Sequence, residues 1–194
     1  MRPSATFLFC LLMAAPLAAQ SPRTPGLVAN PAGHAYGPSV ACDADLSAMV
    51  WFDSAAGGFG LQCATADGRG VAWGPAVPVD DGTTPTAWKN VYDSSCAVAG
   101  GNVYVAWSDP RLGIGLGDRD VWFQRSTNGG ASFQPTDLLI DKGLPPGLCD
   151  VKELRMAVDA GVPSDPNDDL IAILMMVEND FTPPPWDEEL YLNY

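Results

Sequence analysis

The chain is short of positive charge, of histidine and of helix. Ten lysines and arginines stand against 23 aspartates and glutamates, a formal net charge of −13 at pH 7. Such a surface repels nucleic acid and anionic membrane, because it offers no basic patch that would release their counterions. The acidity is read as solubility rather than as calcium binding or an acidic partner face. The single histidine, His34, lies in a Gly/Pro-rich stretch with no evident serine or cysteine partner, which argues against a hydrolase triad or a zinc site. No cysteines are spaced C-x-x-C, and neither metal nor cofactor is expected. Long apolar runs are also missing outside the N-terminus: "LIAILMMV", Leu170 to Val177, is far below the roughly 20 residues a membrane helix needs.

What is present begins with "MRPSATFLFCLLMAAPLAAQ": Arg2, an apolar run from Ala5 to Ala15, then small residues at Ala18 and Ala19. This is the pattern of a secretory signal peptide over 1–19, and it predicts a secreted or periplasmic protein with no membrane span. Cys10 leaves with that segment. Cys42, Cys63, Cys96 and Cys149 remain, an even set that permits disulfides in an oxidising compartment and leaves three pairings open.

Helix periodicity is nearly absent, and 20 glycines and 18 prolines are spread between short β-rich runs, which predicts an all-β chain. Two segments superimpose: Ser39 to Gly74, and Ser95 to Phe133. Each has a short strand, a polar turn, and a second strand ending in aromatic-x-Asp, "VWFD" against "AWSD", which sets Asp53 and Asp109 56 positions apart. A glycine-rich loop and a third strand follow, then a turn holding glycine and an aromatic, Trp73 or Phe133. A third copy starts at "ELRMAVDAG", passes through "LIAILMMVEND" and reaches "ELYLNY", stopping one residue before its turn would begin.

Repeats of this length with about four short strands each predict β-propeller blades near 39–88, 89–147 and 148–194, after a lead-in segment over 20–38. The ring is incomplete, so the expectation is a longer natural chain, with the missing blades closing it, or closure by another copy. In an up-and-down blade the strand 1 to 2 and 3 to 4 turns share one face, and the strand 2 to 3 loops share the other. Strands 1 and 3 lie about 9 to 10 Å apart, too far to bridge Cys42 and Cys63. Cys96 and Cys149 both open successive blades, and their pairing is the one expected.

The turn "STNGGASF" can be explained by folding alone. The Ser126 hydroxyl and Asn128 side chain can satisfy backbone N–H groups. Gly129 or Gly130 can take positive φ, and Phe133 can open the fourth strand with its ring on the blade. These residues resemble the Asp box, or BNR repeat, of the sialidase superfamily, S-x-D-x-G-x-x-W/F. Ser126, Asn128, Gly130 and Phe133 match it with Asn for Asp, and Thr65, Asp67, Gly70 and Trp73 match it with one extra residue. The resemblance implies a six-bladed propeller whose Asp boxes face away from the active site.

Function would then sit on the strand 2 to 3 loops: Asp53 to Phe59, Asp109 to Arg119 and Asp180 to Glu188. The richest is "DPRLGIGLGDR". Asp53, Asp109, Arg111, Asp118, Arg119 and Asp180 are the candidate ligand-binding residues, since a guanidinium pairs bidentately with the carboxylate of an acidic sugar. The competing reading is local: Asp109 caps its strand and Arg111 pairs with it. The family's F/Y-R-I-P motif has only "SPRTPG" near Arg23 to answer it, and no catalytic residue carries over to a numbered position. Gly113, Gly115 and Gly117 precede no helix and so form no dinucleotide loop, and "DPNDD", Asp165 to Asp169, lacks the glycine of a calcium loop. The expected function is a noncatalytic propeller that binds a glycan or an extracellular protein. The alternative is an exo-α-sialidase whose catalytic residues lie mostly beyond residue 194.

Overall fold

The computed structural model describes residues 35–54, 60–68, 70, 72–82, 93–112, 119–140, 150–159, 161, 169–178 and 188–193. The signal segment, most of the lead-in, Cys149, Asp118 and Asp180 lie outside them. Among the described residues there is no helix, and hence none able to cross a membrane.

The described residues form three antiparallel sheets in sequence order. The first is β1 (Ala35–Cys42), β2 (Leu46–Asp53), β3 (Gly60–Asp67) and β4 (Val77–Pro78), each strand pairing with the next. The second repeats this with β5 (Ser94–Ala99), β6 (Asn102–Asp109), β7 (Asp120–Ser126) and β8 (Leu138–Ile140). The third has β9 (Asp150–Asp159), β10 (Leu170–Glu178) and β11 (Glu188–Asn193). The sheets do not close on one another among the described residues.

Local chemistry fixes the hairpins. At β1–β2 the Asp43 carboxylate accepts the Asp45 and Leu46 N–H groups at 2.8 and 2.7 Å, an Asx turn that reverses the chain. At β5–β6, Gly100 and Gly101 both have positive φ, as a two-residue hairpin with the twist of its strands requires. The outer strands are short: Pro75 and Pro78 flank or end β4, and Pro135 precedes β8, each withholding an N–H from the ladder.

Alternation then divides each strand between two seams. Ala48, Val50 and Phe52 of β2, with Leu61 and Cys63 of β3, pack against Cys96, Val103, Val105, Trp107 and Trp122 of the second sheet. The opposite face of that sheet, Ala106 and Val121, packs against Val151, Leu154, Ile173 and Met175 of the third. Every residue of β6 is therefore buried. The outer face of β10 carries exposed Leu170 and half-buried Ala172, Leu174 and Met176.

The two seams share a hydrogen-bond device. Cys96 N–H donates to Ser39 Oγ at 3.2 Å across the first seam, and Met156 N–H donates to Ser95 Oγ at 3.0 Å across the second. Ser39 and Ser95 stand at the same 56-residue offset as Asp53 and Asp109. Two further bonds flank these: Ser94 Oγ–H to Gly37 O at 3.0 Å, and Leu154 N–H to Asp93 Oδ2 at 2.7 Å.

The expected Cys96–Cys149 bridge is corrected: Cys96 is a free, buried thiol directed toward the first sheet, with its sulfur on Ser39 Oγ at 3.6 Å. Cys42 and Cys63 are also free, and β2 runs between the strands that carry them, as the expectation that they do not bridge each other requires.

Candidate functional site

The β2–β3 and β6–β7 connections leave the same end of their sheets, and Asp53 and Asp109 terminate the strands that lead into them. Arg111 is held rather than presented. Its Nε lies 3.0 and 2.9 Å from the two Asp109 carboxylate oxygens, and its Nη2 lies 2.6 Å from Oδ2. Nη1 reaches Asp137 Oδ2 at 2.7 Å and approaches Asp81 Oδ1 at 3.6 Å. The guanidinium lies 4.0 Å from the centroid of the Trp122 ring and 5.9 Å from that of Trp107. The side chain is 7% exposed, and those of Asp109 and Asp137 are fully buried.

The support is continuous. Trp107 Nε1–H donates to Asp109 Oδ2 at 2.9 Å, and Gln124 Nε2–H donates to Asp137 Oδ1 at 2.8 Å. Asp81 and Asp137 exchange backbone-to-carboxylate bonds at 3.2 and 3.4 Å, joining the first sheet to the second. Burial pushes the Asp137 carboxyl above the ordinary aspartate value; the bonds from Gln124 and Arg111 oppose this, and the Asp81 charge adds to it. For Arg111, burial pulls downward, but the bonds and charges of Asp109 and Asp137 outweigh it and raise the guanidinium above its ordinary value. Chemically this is an inter-sheet clamp with a saturated guanidinium. Asp109 and Arg111 thus follow the local reading, as cap and pair.

The other candidates separate from it. Arg119 is buried and donates through Nη1 to Val151 O of the third sheet at 3.4 Å. Asp53 is half-buried, and its Oδ1 and the Trp51 Nε1 have no hydrogen-bond partner among the described residues. The equivalent pair in the second sheet, Asp109 and Trp107, is bonded. Ala55 stands at the sequence position equivalent to Arg111. Sequence reasoning missed Asp81, Asp137 and Gln124. A usable signal existed, because Asp81 and Asp137 are themselves 56 residues apart.

At the opposite end lies the Ser126 turn. Ser126 Oγ accepts Gly130 N–H at 2.9 Å and Asn128 N–H at 3.4 Å, and its hydroxyl donates to Asn128 Oδ1 at 2.8 Å. Asn128 Oδ1 also accepts Ser132 N–H at 3.0 Å, while Nδ2–H donates to Ser132 Oγ at 2.8 Å. Gly129 and Gly130 both have positive φ. Phe133 packs on the first core, yet it precedes β8 by several residues and does not open that strand. In the first sheet, Gly70 N–H donates to Asp67 O at 2.7 Å and Trp73 bridges Ala66. Thr65 Oγ1–H turns outward instead, to Gly129 O of the second turn at 3.0 Å.

No family model matches this chain, and no curated protein matches it.

Proposed function

We propose that this chain is part of an exported, sialidase-like β-propeller that binds a glycan or an extracellular protein through the end of the sheets bearing the β2–β3 and β6–β7 loops, without catalysis of its own. One observation carries the noncatalytic choice: Arg111, the arginine best placed by sequence to grip an acidic sugar, is consumed by three carboxylates and two indoles. A guanidinium so saturated has no free donor edge for a substrate carboxylate. The Asp-box spacing, the serial antiparallel sheets and the N-terminal apolar run support the rest of the reading. Binding would then fall to the loop residues outside the clamp, Asp118 and Asp180 among them. The test is a glycan array probed with the secreted protein, run beside a fluorogenic sialoside. Binding without turnover is expected; turnover would move the protein to the exo-α-sialidase class.

A further inference from the structure

We propose that Asn128 is a site of spontaneous covalent modification, at which the Ser126 turn converts its own asparagine to aspartate with water as the only co-reactant. Asn128–Gly129 is the single Asn-Gly step in the chain. Gly129 lacks a side chain to shield its nitrogen, and its N–H has no hydrogen-bond acceptor among the described residues. Asn128 is exposed, so water reaches it.

The surrounding bonds favour the step. The Gly129 nitrogen attacks Asn128 Cγ, an N–Cγ bond forms, and negative charge develops on Oδ1. That oxygen already accepts the Ser126 hydroxyl at 2.8 Å and the Ser132 N–H at 3.0 Å, two donors fixed before charge develops. Ser126 is a stronger donor for accepting the Gly130 and Asn128 N–H groups itself. The Cγ–Nδ2 bond then breaks, and Nδ2 leaves as ammonia with its own two hydrogens and the proton lost by Gly129. Nδ2 already donates to Ser132 Oγ at 2.8 Å, which holds the leaving amide in this orientation, and solvent water carries that proton. Water opens the resulting cyclic imide. Opening at Cγ restores the normal chain with an aspartate side chain in place of the asparagine, which keeps the acceptor that Ser126 and Ser132 require. Opening at the backbone carbonyl instead yields isoaspartate and lengthens the turn. The folded state therefore selects aspartate, and the exposed end of the second sheet gains one negative charge.

The experiment is peptide mass spectrometry over Ser126 to Phe133, on protein incubated at mildly alkaline pH, folded or in urea. Conversion at Asn128 is expected to be about tenfold or more faster in the folded protein, as preorganised donors on a developing oxyanion predict. Ser132→Ala is expected to slow the folded rate and leave the urea rate unchanged. A folded rate equal to or below the urea rate would overturn the proposal and make the turn a protecting device. The folded-to-urea comparison on the unsubstituted chain decides the question even if the variant does not fold.

Discussion

Two adjacent glycines separate two kinds of constraint at the scale of one residue. An added Cβ at Gly129 meets nothing within 4 Å, whereas at Gly130 it would clash with Thr65 Cγ2. Gly129→Ala is expected to cost about 1–2 kcal/mol from its positive φ alone, and Gly130→Ala distinctly more. Thr65→Ser removes the clashing methyl and keeps the hydroxyl that bonds Gly129, so it should bring Gly130→Ala back toward the cost of Gly129→Ala in urea denaturation. The thiols divide similarly. Burial, with the neighbouring Cys96 adding to it, pushes the Cys63 thiol up to about 12, and burial raises Cys96 against the opposing bond to Ser39. In a background carrying Cys10→Ser and Cys149→Ser, a thiol reagent at neutral pH should label only Cys42 in the native protein, and Cys63 and Cys96 only after denaturation. The native thiols hold protons that the unfolded chain, with a value near 9.0, releases. Stability contributed by this difference is complete below that value and falls as pH rises from there toward about 12.

At the scale of elements, the clamp joins the segments beside β4, β6 and β8 through one side chain. Arg111→Met is expected to cost about 3–5 kcal/mol, since it strands buried carboxylates without their cation. Asp137 reports the same cluster through pH. Its native carboxyl holds a proton more tightly than the unfolded value of 3.8. Its contribution is therefore complete below that pH and declines as pH rises through the raised native value. The stability advantage of the parent over Asp137→Asn should shrink as pH rises above 3.8, which paired denaturation curves at several pH values would show. This cluster also marks how far the sequence can be read. The hairpins are legible because Asp43 and Gly100–Gly101 act within a few residues, and the Arg111–Asp109 pair because it spans two positions. Asp81 and Asp137 are not, because they flank outer strands too short to carry an alternating pattern. Spacing alone puts Phe133 at the head of the fourth strand, but Pro135 delays that strand to Leu138. The Cys96–Cys149 expectation rests on equivalent places in successive repeats. It overlooks the face on which Cys96 points, which alternation along β5 gives to the first sheet.

At the scale of the whole molecule, the described residues form a series of sheets joined by two seams of like design. Ser39→Ala and Ser95→Ala are each expected to cost about 1–3 kcal/mol, because each leaves an N–H of the next sheet without its acceptor. The double variant should be close to additive if the seams are independent, which thermal and chemical unfolding of the four proteins would reveal. The series changes at its third member: Arg155 holds the place of Ser39 and Ser95, and its side chain is 64% exposed. It turns back to Asp93 at 3.1 Å and so does not continue the device. The second sheet, by contrast, has neighbours on both faces and no wet side along β6. In terms of time rather than energy, its amides can reach water only after a flanking sheet has departed. Hydrogen exchange should thus be slowest from Asn102 to Asp109, and the unbinding of a neighbour, not the loosening of its own strands, would set the lifetime of the fold's centre.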